Sequence, residues 1–249
     1  MPDLPATPPT DVTVHPTYEA LSQAAAKHVQ AVLTRALQEQ ERCALALAGG
    51  STPRRFYEHL AQAELPWERV HLFWGDERFV PHDDPRSNVH LVRETLLVHC
   101  AVPAENVHPM PTDGSPEAAA SAYAARLKRH FAGQPHTFDC ALLGVGRDGH
   151  TASLFPEHAP APDDAAWVRA VAAPARHDVT QRLTCTLPVF NRARQALFLV
   201  SGDAKRNAVR AVLDANDPSL PATHIAPRDR LAWFLDAEAR PSPSRDADT

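Results

Sequence analysis

The sequence predicts an α/β protein: a three-layer sandwich with a mainly parallel sheet and helices on both faces. Three observations lead there. Short apolar runs bounded by glycine or proline alternate along the chain with segments whose apolar residues recur at helical spacing, the pattern of βα units that build a parallel sheet. The chain has 249 residues, 44% of them hydrophobic, enough to bury one large core. A buried-looking apolar run, 138–143, ends in Gly144, Gly146 and Gly149, with Asp148 and His150 beside them. Open α/β sheets bind ligands at such strand ends, and glycines there permit positive φ and close approach of a ligand.

The elements follow in order. Residues 1–16 carry five prolines and little that could pack, so they are expected to fray, as is the polar tail 241–249. A single domain is expected over 17–240. Thr17 can cap a helix whose apolar positions Leu21, Ala25, Val29, Val32, Leu33 and Ala36 recur at helical spacing. Residues 43–48 read as a strand, and the turn 49–53 leads into a helix to about residue 64, with Pro53 suited to its first position. A strand at 70–74 opens into a polar loop, 75–88, after which Ser87 caps a helix to about residue 99. Residues 107–109 read as a short strand, and 116–131 as a helix with Ala119, Tyr123, Leu127 and Phe131 on one face. Beyond the central run come strands at 168–172, 183–187 and 196–200, a helix at 203–214 and a last strand at 231–235.

Composition excludes several function classes. A net charge of −5 with no basic stripe argues against nucleic acid as a partner. No apolar stretch approaches the roughly 18 residues of a membrane span, and no secretory leader is recognisable, so neither membrane nor export is expected. Cys43, Cys100, Cys140 and Cys185 show no CxxC spacing and read as reduced thiols, which suits a cytoplasmic location. A monomer or weak homo-oligomer is the expected state.

The glycines from 144 to 149 fit GxGxxG, so a dinucleotide fold is weighed first. Such a turn should open a long helix and meet an acid about 20 residues on. Here Pro156, Pro160 and Pro162 stop any helix early, and Asp163 and Asp164 come too soon. No cofactor is expected. His150 reads instead as a general base, since an imidazole titrates at about pH 6.5, with Asp148 able to orient it. Gly49-Gly50-Ser51-Thr52-Pro53 places free N–H groups and two hydroxyls at a helix start, which is how proteins hold phosphate. Pro53 stands where a GxSxG elbow needs its last glycine, so Ser51 is a poor nucleophile. Lys205, one of only three lysines, can add a point charge to the same anion from a second strand-to-helix turn. Arg78, in the Gly75-Asp76-Glu77-Arg78 turn, can steady an oxyanion or the phosphate; the plainer alternative is a surface salt bridge with Glu77 or Asp76. His82, Asp83 and Asp84 have no companion ligands at recognisable spacing, so no metal is expected.

Taken in order, several blocks resemble the glucosamine-6-phosphate isomerase/6-phosphogluconolactonase family. They are Ala48-Gly49-Gly50-Ser51-Thr52-Pro53, Trp74-Gly75-Asp76-Glu77-Arg78-Phe79-Val80 with Ser87-Asn88, Gly144-Val145-Gly146 with the run from Asp148 to Pro156, Arg182-Leu183-Thr184, and Ser201-Gly202 with Lys205. The resemblance implies a single α/β domain and metal-independent hydrolysis of a phosphosugar lactone, with His150 as the base. It implies that Asp76 and Arg78 line the reacting end and that Ser51, Thr52 and Lys205 lie near the phosphate. Gly49, Gly50 and Arg182 are assigned to the phosphate with them, and Arg86 is an alternative contact. The deaminase branch resembles this chain too, but it uses a glutamate where Phe155 stands here and an Asp-Glu-Tyr turn in place of Asp76-Glu77-Arg78. A third class, a sugar-phosphate-sensing regulator, would need a DNA-binding segment for which the stretch before Thr17 is too short.

Overall fold

A run such as Cys43-Ala44-Leu45-Ala46-Leu47 has no polar face, so it is stable only where both of its sides are covered. The computed structural model describes residues 8–157 and 165–241. In chain order its elements are β1 (Thr10–His15), α1 (Tyr18–Glu39), β2 (Cys43–Leu47), α2 (Pro53–Leu60), β3 (Val70–Trp74), β4 (Asp76–Arg78), α3 (Asn88–Val92) and β5 (Val107–His108). They continue with α4 (Pro116–His130), β6 (Cys140–Leu143), β7 (Val168–Ala172), β8 (Gln181–Cys185), α5 (Leu187–Asn191), β9 (Gln195–Val200), α6 (Arg206–Leu213) and β10 (Arg230–Asp236). Seven strands form one wholly parallel sheet in the order β1-β10-β9-β6-β2-β3-β5, and every residue of β2 and β6 is buried. With helices as outer layers this is the expected α/β sandwich. Thr17 caps α1, its hydroxyl accepting from the Ala20 N–H at 3.2 Å.

Three features depart from the sequence expectation. Residues 10–15, expected to fray, form β1 and pair in parallel with β10 at the sheet's edge. A second sheet, β4-β8-β7, is antiparallel and stands apart from the first. Its β4 lies inside the stretch read as a polar loop, and β8 begins two residues earlier than expected, with Leu187 opening α5 instead. Pro160, Pro162, Asp163 and Asp164 lie outside the described residues, as do 1–7 and 242–249.

Chain order locates the site. From β2 the chain adds β3 and β5 on one side, then crosses back to place β6, β9 and β10 on the other. The order therefore reverses between β2 and β6, and ligand crevices in open α/β sheets form outside the carboxyl ends of the strands at that point.

Candidate active site

A cleft of about 200 Å³ opens there, between the turns that follow β2, β3, β6 and β9. Gly49, Gly50, Ser51, Thr52, Asp76, Arg78, His150, Arg182 and Lys205 all line it. Of the expected site residues only Asp148 does not; it lies behind His150, lining an adjoining hollow with Arg176, His177 and Lys205. Arg86 is paired with Asp84 at 2.6 Å and does not line the cleft.

The turn after β6 does not open a helix: residues 144–157 are loop and turn, which removes the dinucleotide alternative. Gly149 has φ +80°, a conformation that glycine adopts without strain, but Gly146 does not. Gly146 is required for space, since a Cβ there would stand 2.0 Å from His150 Nδ1 and 2.5 Å from Asp148 Oδ1. Gly144 is limited in neither way.

Room at Gly146 lets two side chains meet. His150 Nδ1 lies 2.5 Å from Asp148 Oδ1, and Arg176 donates to the other carboxylate oxygen. Burial works to raise the Asp148 carboxyl, but the hydrogen bonds from His150 and Arg176 outweigh it and hold the group well below the usual carboxylate range. Asp148 is thus an anion that can only accept, so in the neutral tautomer Nδ1 carries the proton and the lone pair falls on Nε2. Among the described residues Nε2 has no partner, and the ring is 23% exposed. Phe155 and His177 pack against it with ring centroids at 4.9 and 5.4 Å.

On the β2 side, Gly50 takes φ +93° and swings the turn so that the backbone N–H groups of Gly50, Ser51 and Thr52 meet no acceptor among the described residues. Neither hydroxyl of the turn caps α2. Tyr18 fixes it, donating its hydroxyl to the Thr52 carbonyl at 2.9 Å, and Tyr57 donates to the Ala48 carbonyl at 2.6 Å. Lys205 comes from the turn after β9, which Asp236 anchors by accepting from Ser201 Oγ and the Gly202 N–H. Burial and the neighbouring Arg147 push the Lys205 ammonium down from its ordinary value, with Asp148 opposing. It makes no ion pair among the described residues.

At the third corner Arg78 stands directly opposite Arg182 in the antiparallel pair β4·β8. Arg78 donates to the Arg86 carbonyl at 2.6 Å and forms no salt bridge with Glu77 or Asp76 among the described residues, which sets aside its plainer alternative. Arg182, 7% exposed, donates Nε to the Val179 carbonyl at 2.8 Å. Glu77 is wholly buried and acts as a staple, accepting from the N–H groups of Arg78, Asn88 and Val89 and from Ser87 Oγ. Burial pushes its carboxyl up to about 7 against the pull of those N–H groups.

Sequence reasoning assigned no role to four residues here. Ser153 Oγ donates to Asp76 Oδ2 at 2.7 Å, and Asn88 Nδ2 donates to the Asp76 carbonyl at 2.9 Å, leaving Asn88 Oδ1 buried and unpartnered in the cleft wall. Gly49 must lack a side chain because its Cβ would sit 1.8 Å from that oxygen. Ser153 and Asn88 stood inside the family-like blocks, which was the signal for them. Arg176 and His177 had none: they come from the loop between β7 and β8, far along the chain from Asp148.

Fold and cleft together define an α/β-sandwich enzyme with an imidazole held by a carboxylate. The chain belongs to the glucosamine-6-phosphate isomerase/6-phosphogluconolactonase family, whose sequence profile matches residues 16–233. It is 43% identical to the 6-phosphogluconolactonase of Synechocystis over 213 residues, 83% of this chain and 87% of that protein. The crystal structure of 6-phosphogluconolactonase from Thermotoga maritima superposes with a TM-score of 0.81 at 30% identity, covering 91% of this chain and 99% of that one. A monomeric glucosamine-6-phosphate deaminase has the same fold, with a TM-score of 0.80 at 23% identity and coverage of 92% of this chain and 98% of that one.

Proposed function

We propose that this chain hydrolyses 6-phospho-D-glucono-1,5-lactone to 6-phospho-D-gluconate, the lactone-opening step of the oxidative pentose phosphate pathway, using water activated by His150 and no metal. The unpartnered Nε2 of His150, in the same cleft as the open N–H row at Gly50 to Thr52, carries this proposal. Nε2 takes a proton from water as the water oxygen bonds to C1, and the carbonyl π pair moves onto oxygen. Arg78, which lines the same cleft, steadies that oxygen, and one such donor is worth about 3 kcal/mol. The tetrahedral species collapses, the bond from C1 to the ring oxygen breaks, and that oxygen takes the proton back from Nε2. Asn88 Oδ1 accepts from a sugar hydroxyl.

The phosphate sits against Gly50, Ser51 and Thr52 with Lys205 as counter-charge, so remote binding energy fixes which end of the sugar meets the imidazole. Lys205→Ala is accordingly expected to raise KM about tenfold or more with kcat little changed, read from saturation curves with the phosphorylated lactone. An unchanged KM would assign the lysine to the surface.

The deaminase alternative lacks support at the position that matters. Phe155, apolar and buried, packs on His150 where that chemistry would want a carboxylate. A rapid coupled assay with fresh lactone, corrected for spontaneous opening, run beside ammonia release from glucosamine 6-phosphate, decides between the two; ammonia release without lactone opening overturns the proposal.

Asp148, His150 and His177 also offer ligand atoms within 4.8 Å of one another. Arg176 already occupies the Asp148 carboxylate, and a guanidinium there repels a second cation. Activity at 25 °C is therefore expected to survive exhaustive chelation. A loss that zinc restores would put a metal in the reaction.

We further place the activity in the cytoplasm, in a monomer or weak homo-oligomer that needs no partner beyond its small-molecule substrate. The four cysteines are free thiols, and among the described residues no helix is long and apolar enough to cross a membrane.

A further inference from the structure

Away from the cleft, three imidazoles from distant parts of the chain converge. His71 is the second residue of β3, His108 ends β5 and His130 ends α4. Each offers one ring nitrogen, and the three nitrogens lie within 4.8 Å of one another. His71 Nδ1 and His108 Nε2 are 3.0 Å apart. The His71 and His108 rings are nearly parallel, at 9°, and the His130 ring is tilted across them at 59° and 58°. Phe73 packs against His108 and His130 at 4.4 and 4.9 Å between centroids and limits where those rings can move.

We propose that His71, His108 and His130 form a binding site for a divalent transition metal, zinc(II) foremost, which ties the β3·β5 edge of the sheet to the end of α4. Zinc–nitrogen bonds of about 2.0–2.1 Å in a tetrahedron set donor nitrogens about 3.4 Å apart. The His71–His108 pair is already near that separation, and the His130 nitrogen lies within 4.8 Å of both. Water fills the fourth position.

The donor set selects the ion. Three neutral nitrogens with no carboxylate among them suit zinc, copper or nickel and suit magnesium or calcium poorly. Arg42 acts electrostatically on all three rings and Arg126 on His108, so a cation held by charge alone is further disfavoured. Burial first, then the neighbouring imidazoles and those cations, push these rings down from their ordinary value. The site is separate from the chemistry: His71 stands three residues before the end of β3, about 10 Å along the strand from the turn that carries Asp76.

The test uses the full chain freed of metal by chelation and titrated with cobalt(II). Cobalt is expected to give the visible bands of tetrahedral coordination at one equivalent, zinc to bleach them, and zinc to raise the melting temperature of the metal-free chain. His71→Phe and His108→Phe keep the ring packing and remove one nitrogen each. Either is expected to weaken cobalt binding by more than the roughly 10- to 100-fold that loss of a mere supporting contact costs. Activity at 25 °C and far-ultraviolet circular dichroism report that both variants fold. His150→Ala is expected to keep the bands. Absent bands, bands intact in both Phe variants, or bands lost in His150→Ala would each overturn the proposal, the last by moving the metal to the cleft; none of these readouts depends on which lactone is the substrate.

Discussion

His150→Ala is expected to lower kcat about 10²- to 10⁴-fold, the range that a positioned general base supplies. Nε2 is the nitrogen that loses its role, because Nδ1 is committed to Asp148. The variant should still fold: the side chain is 23% exposed and its ring rests on Phe155 and His177, so truncation leaves an open notch rather than a sealed cavity. The phosphate end should still bind, since Gly50 to Thr52 and Lys205 are untouched. Calorimetry with 6-phosphogluconate is expected to give an affinity within a few-fold of the parent chain, while the coupled assay records the loss in kcat. Near-normal turnover in a folded variant would remove His150 from the reaction, and loss of product binding along with kcat would mean that the imidazole holds the sugar rather than activating water.

How far the sequence could be read depended on whether each feature is local. Strands β2, β3, β6 and β9 were legible because a parallel sheet buries both faces and leaves continuous apolar runs. So were the caps at Thr17 and Ser87, which act on N–H groups within three residues. Strand β1 was not, because its partner β10 lies some 220 residues further along the chain and its own residues stay mostly exposed at the sheet's edge. Strand β4 reads Asp-Glu-Arg and owes its conformation to pairing with β8. In the site, the phosphate-type turn and the Asp148-Gly149-His150 turn are each contiguous and were seen. Arg176, which fixes the outer oxygen of Asp148, arrives from another loop and is one of many arginines, so no spacing could point to it. The His71, His108 and His130 cluster was invisible for the same reason: the fold, not the chain order, brings its members together.

Asp148→Asn isolates the role of that carboxylate. The substitution keeps size and shape, yet kcat is expected to fall at least about 10²-fold, toward the roughly 10⁴-fold that the same exchange costs a serine-protease triad. Arg176 explains why the loss should be large. A guanidinium can only donate, so it draws the oxygen of the introduced amide toward itself and leaves the amide NH2 facing Nδ1. Nδ1 must then accept, the proton moves to Nε2, and the nitrogen that should take a proton from water already holds one. Removing the guanidinium releases the amide: in the double variant Asp148→Asn with Arg176→Ala, the oxygen can turn back to Nδ1 and part of kcat should return. A carboxylate with a merely structural part predicts the opposite, a double variant slower than either single one. KM is expected to stay near the parent value in all three, because none of these groups meets the phosphate. A parent-like kcat in Asp148→Asn, or no recovery in the double variant, would show that the tautomer of His150 is set by something other than this pair.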